Sequence, residues 1–106
     1  MMNERFSFPE PQPEGLQREL LHLIAEECNE IGQRAEKAQR FGLMECQPGQ
    51  NLNNIQRMSH EIGELLYVVD AAREAGLIDD AQIYEGKTHK RQQLLTFLRY
   101  APKTET

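Results

Sequence analysis

Residues 16–40 read LQRELLHLIAEECNEIGQRAEKAQR, and this stretch decides the fold. Leu16, Leu20, Ile24, Cys28, Ile31, Ala35 and Ala38 recur at steps of three and four, the spacing that gathers apolar side chains along one side of an α-helix. The pattern predicts one amphipathic helix from about Glu14 to Arg40, with Gly42 placed to end it. Downstream, residues 43–52 hold Pro48, Gly49 and Asn51 and read as a loop leading to an N-cap at Asn51 or Asn53. Ile55, Met58, Ile62, Leu65, Val69 and Ala72 then repeat the same spacing, and Gly76 with Leu77 and Ile78 behind it has the form of a glycine C-cap. Asp79, with Gln82 three residues on, resembles a capping box opening a third helix that runs to about Arg99, before Pro102. Upstream, Pro9, Pro11 and Pro13 alternate beside Phe6 and Phe8, which predicts an extended arm.

The expected organisation is therefore an arm over 1–13, a helical domain over 14–100 and a flexible tail over 101–106. No strand pattern of useful length intervenes, so the fold class is all-α. Three helices with one apolar stripe each make a thin core, whereas pairing chains builds an antiparallel bundle with a shared interior. A homodimer or homotetramer is expected.

At 106 residues the chain is one domain, and a domain this small buries only part of the surface its unfolded chain exposes. A net charge of −5 and a pI near 5.2 argue against a nucleic-acid partner, which calls for a clustered Lys and Arg patch. The same charge and the acidic first two helices disfavour a helix-turn-helix reading. No stretch has the length of a membrane span, and the N-terminus lacks the apolar region of a secretory signal. The two cysteines, Cys28 and Cys46, suggest a buried thiol rather than a disulfide. A cytoplasmic location fits these features.

The chemistry lies in the carboxylates. Glu27 and Glu30 are three apart on the first helix, on one flank of its stripe, and Glu61 and Glu64 repeat the arrangement on the second. Like charges at this spacing repel, and more so when partly desolvated, so two matching pairs beside a helix seam need an explanation. A hard cation supplies one, because magnesium prefers oxygen ligands and keeps waters and phosphate oxygens in its shell.

The run Glu26-Glu27-Cys28-Asn29-Glu30 followed by Glu61-Ile62-Gly63-Glu64-Leu65-Leu66 resembles the metal-binding signature of the MazG-like, all-α nucleoside triphosphate pyrophosphohydrolases. Arg40-Phe41-Gly42 and Pro48-Gly49-Gln50 are similar to the versions carried by phage and prophage members. The resemblance covers roughly residues 16 to 98. One departure is Glu64, where the family's second motif usually ends in Asp. The resemblance implies a MazG-type bundle in which Glu27, Glu30, Glu61 and Glu64 hold Mg2+, with Mn2+ as a substitute and Glu26 as a further ligand or supporting partner. It implies a nucleoside triphosphate substrate, cleaved between the α- and β-phosphates to give the monophosphate and pyrophosphate. Glu30 or Glu27 is then the catalytic base for the attacking water. The rival reading is a helical interaction or oligomerisation protein of the same fold without turnover.

Several other residues are candidates for the substrate. Arg34 and Lys37 continue the carboxylate flank toward phosphate, Lys37 being preferred, and Asn54 lies on the flank of the second helix. Lys87, with Lys90 and Arg91, forms a basic stretch on the third helix. Phe6, Phe8, Phe41 and Tyr67 are the stacking candidates for a base. His22, His60 and His89 lack metal-ligand spacing, and no zinc site is expected. Gly32 and Gly63 are expected to face away from the carboxylates and to permit close helix approach.

Overall fold

The computed structural model describes residues 12–100, in which α1 (Gly15–Phe41), α2 (Asn54–Glu74) and α3 (Asp80–Phe97) follow one another with no strand among the described residues. The all-α reading holds, and the helix limits fall within a few residues of those the sequence predicts. Most of the arm expected over 1–13, with Phe6 and Phe8, and the tail over 101–106 lie outside the described residues.

Each boundary has a local cause. At Gly42 φ is +108°, a region L side chains rarely adopt, and its N–H bonds back to Ala38 O at 3.1 Å to close α1. Asn53 caps α2 by accepting from Gln56 N at 2.8 Å, while the Gln56 side chain accepts from Asn53 N at 2.9 Å, completing a capping box. Past the end of α2, Gly76 N donates to Arg73 O and Leu77 N to Ala72 O, at 3.1 and 2.9 Å, around a Gly76 φ of +82°. These paired bonds form a Schellman motif, the glycine cap the sequence predicts. Asp79 caps α3 through Gln82 N at 3.2 Å, but Gln82 turns its own amide toward Glu85.

α1 and α2 pack along one another as an antiparallel hairpin, and α3 packs on neither. Gln17 Nε2 donates to Ala75 O at 2.7 Å and fixes the register. From there the seam runs through Gln17, Leu20, Ile24, Glu27, Ile31, Arg34 and Ala38 on α1, all buried or half-buried, against Asn54, Met58, Glu61, Leu65, Val68 and Ala72 on α2 and its C-cap residue Ala75. Both sets alternate steps of three and four, the heptad spacing of helices that pack side by side. The buried apolar core is small, consisting of Leu20, Ala38, Val68 and Ala72 among the described residues.

This seam is rotated from the stripe that apolar spacing picks out. Cys28 and Ala35 are exposed, so the expected burial of the Cys28 thiol is not met, and both cysteines are free. Glu27, Arg34 and Glu61 take seam positions instead. The loop between the helices is laced down by Asn54, only 1% exposed, whose amide donates to Gly42 O at 2.8 Å and Glu45 Oε1 at 3.0 Å. Arg57 adds a bond to Gln47 Oε1 at 3.0 Å. Beyond the Gly76 corner, the Arg73 guanidinium grips both Asp80 oxygens at 2.9–3.0 Å and Asp70 at 3.0 Å, tethering the start of α3.

Candidate metal centre

The heptad register carries two carboxylates into the middle of the seam and sets two more at its edge. Glu27 and Glu61 occupy seam positions, and Glu30 and Glu64, each three residues on, stand exposed at one margin. Across the hairpin the glutamates meet in two opposed pairs, Glu27 with Glu64 and Glu30 with Glu61. One oxygen from each of the four lies within 4.8 Å of the other three. The structure thus brings together all four glutamates that the sequence singled out.

The electrostatics of the cluster are unfavourable as it stands. Shielding from water, then the charges of Glu64 and Glu30, raise the Glu27 carboxyl above its ordinary value; shielding, then Glu30 and Glu64, do the same to Glu61. Glu27 Oε1 and Glu61 Oε2 are cut off from solvent and have no hydrogen-bond partner among the described residues. Opposed carboxylates offer only acceptors, so relief requires either a proton on one member of each pair or a cation between them. Opposite ligands lie about 4.2 Å apart across a magnesium shell and about 4.8 Å apart across a calcium shell. The donor set is all oxygen, its atoms lie no farther apart than opposite ligands of the larger shell, and two of its oxygens are unsatisfied. The residues therefore fit a hard divalent cation.

The other sequence candidates divide. Glu26 is not among these four; it pairs with His22 at 3.1 Å, one turn back on α1. Arg34 is half-buried in the seam one turn beyond Glu30, and its Nη1 is shielded and unpartnered. Lys37 lies about two turns beyond Glu30 on the same side of α1. Asn54 is nearly inaccessible, and its amide is engaged by Gly42 O and Glu45 Oε1. Lys87 sits on α3, which the chain does not fold against the carboxylates.

Sequence reasoning passed over His60. Its Nε2 lies 3.4 Å from Glu64 Oε2, and with Leu23, Glu27, Gly63, Glu64 and Tyr67 it lines an open groove of about 580 Å3 beside the cluster. The signal was the i, i+4 spacing of His60 and Glu64, which His22 and Glu26 repeat. Gly63 borders this groove rather than facing away from the carboxylates, and neither it nor Gly32 has a heavy atom within 4 Å of where a Cβ would stand. Close approach inside the hairpin therefore does not explain either glycine.

No family model, curated protein or solved structure matches the chain. No helix among the described residues is long and apolar enough to cross a membrane.

Proposed function

We propose that the chain is a MazG-like, magnesium-dependent nucleoside triphosphate pyrophosphohydrolase of the phage or prophage type, cleaving between the α- and β-phosphates. The observation that carries this reading is the cluster itself: four carboxylates from two helices, one oxygen from each within 4.8 Å of the rest, two of the set holding shielded oxygens without partners. The nucleotide and the position of cleavage come from the sequence resemblance.

Glu27, Glu30, Glu61 and Glu64 are the residues that hold Mg2+, with Mn2+ as a substitute. When bound, the cation offsets the phosphate charge that a −5 chain repels and lowers the pKa of a coordinated water. Glu30 stands at the open edge of the cluster and is the residue assigned to take the water's proton; Glu27, more shielded, is the other candidate. Arg34, with a shielded and unpartnered Nη1, faces phosphate oxygens in this reading, and Lys37 extends the cationic side. The groove bordered by His60 and Tyr67 has the volume class of small-ligand sites, and Tyr67, 74% exposed, offers a ring to a nucleobase.

The test is pyrophosphate release from a panel of standard and modified nucleoside triphosphates with magnesium, alongside magnesium titration by calorimetry. Release that Glu30→Gln and Glu61→Gln abolish supports the reading. Absence of both release and magnesium binding sinks it in favour of a helical interaction protein.

A further inference from the structure

The two glutamate pairs match in spacing but not in surroundings. Four residues before Glu30 stands Glu26, which turns to His22, whereas four residues before Glu64 stands His60, which turns to Glu64 itself. Glu64 Oε2 lies 3.4 Å from His60 Nε2, and across the hairpin the same carboxylate meets Glu27. A carboxylate oxygen only accepts, so the imidazole nitrogen beside it stays there as an N–H, since two lone pairs would repel. Glu64 thus has a donor at its side, whereas Glu27 Oε1 and Glu61 Oε2 have none among the described residues.

We infer that His60 is a positioning residue for the metal centre: it holds Glu64 Oε2, leaves the other oxygen for the cation, and so fits the site to a small six-coordinate ion rather than to calcium. The inference rests on the reading of the four glutamates as a metal centre and needs no nucleotide. Glu64 stands at the exposed margin, and a long flexible side chain loses rotamer freedom when it binds a cation. A donor one turn back on the same helix fixes that side chain beforehand, as partners behind a ligating carboxylate do. Four carboxylates giving one oxygen each, with waters completing the shell, suit the octahedron that magnesium demands and manganese accepts. Calcium takes roughly six to eight oxygens and draws on carboxylates that bind through both. With Oε2 held by His60, Glu64 is restricted to one. The span of the four oxygens admits either ion, so the choice falls to how each carboxylate is held.

The experiment is calorimetric titration of the metal-free full chain with magnesium chloride and, separately, calcium chloride, with circular dichroism to verify the fold. It compares the parent with His60→Ala, His60→Gln and His22→Ala. The His60 side chain is 67% exposed, so its replacement leaves the hairpin core intact. The expected result for His60→Ala is a magnesium Kd raised about tenfold with calcium binding unchanged or tighter, a shift in preference of about tenfold or more toward calcium. His60→Gln, whose amide can donate across the same turn, should restore most of the parent's preference. His22→Ala removes the same kind of pair, to Glu26 at 3.1 Å, outside the four glutamates, and should leave both affinities at parent values. A folded His60→Ala chain with the parent's preference overturns the inference and leaves the metal centre standing. So does a His60→Gln chain no better than His60→Ala, or a His22→Ala chain that shifts equally far. A parent that binds neither ion overturns the metal centre and this inference together.

Discussion

Two stretches of one seam follow the same heptad rule and do opposite things. Toward the open end of the hairpin, Leu20 lies level with Ala72 and Ile24 with Val68, and small residues facing larger ones bury apolar surface. In the middle, the same register puts Glu27 and Glu61 where a further Leu or Ile would go, with Glu30 and Glu64 at the margin. The first stretch stabilises the hairpin; the second opposes it unless a proton or cation intervenes. Helix register alone does not specify a core, since the same positions serve a core or a ligand site according to the side chains they hold.

The largest expected effect that separates the two stretches is on turnover. Glu30→Gln should keep the helical circular-dichroism signal and lower pyrophosphate release a thousandfold or more, about 4 kcal/mol of barrier; a helical variant with ordinary release would remove the carboxylate layer from the chemistry. At the other stretch, Leu20→Ala should lower stability by about 2–5 kcal/mol, read as a fall in the denaturant midpoint, while any protein still folded binds magnesium unchanged. Asn54→Ala should cost about 1–3 kcal/mol, because the carbonyl of Gly42 and the carboxylate of Glu45 lose their shared donor. An Asn54→Ala chain as stable as the parent, with a raised KM, would mark Asn54 as a substrate contact instead.

The smallest effect is on pH dependence. Glu27 and Glu61 have folded pKa values raised above the unfolded value, so their contribution to stability is full below the unfolded pKa and is lost as pH rises through the folded one. Asp80, lowered by its bonds to Arg73, works the other way, losing its contribution as pH falls through a value below the ordinary carboxylate range. Without magnesium, the melting temperature should therefore fall by a few degrees as pH is raised from about 4.5 toward 7. Saturating magnesium should flatten or reverse the slope, and Glu61→Leu should abolish much of it. A metal-free melting temperature that climbs over that interval would contradict the raised values.

Much of this was legible in the sequence. Gly42, Asn53, Gly76 and Asp79 marked the helix ends because each solves a terminal hydrogen-bonding problem locally. The two glutamate pairs were legible because the i, i+3 spacing is itself local. What stayed hidden depended on how far each helix rotates about its axis. Apolar spacing made Cys28 and Ala35 core residues and Glu27 a flank residue, but both apolar and acidic positions fit a helix pattern, and only the partner helix decides which set faces inward. The surroundings of His60 and Asn54 stayed hidden for the same reason, since what they touch is set by the hairpin register and by the fold of the 42–53 loop.

The bond from Gln17 to Ala75 brings the chain into and out of the hairpin at one end. Anything joined before α1 or after α2, α3 included, hangs from that end, while the laced loop projects alone from the other. The hairpin is in effect a cantilever, clamped where its flanking segments meet and free at its tip. A segment attached at the start of α1 or at the end of α2 therefore leaves the hairpin on the clamped side, away from the laced tip.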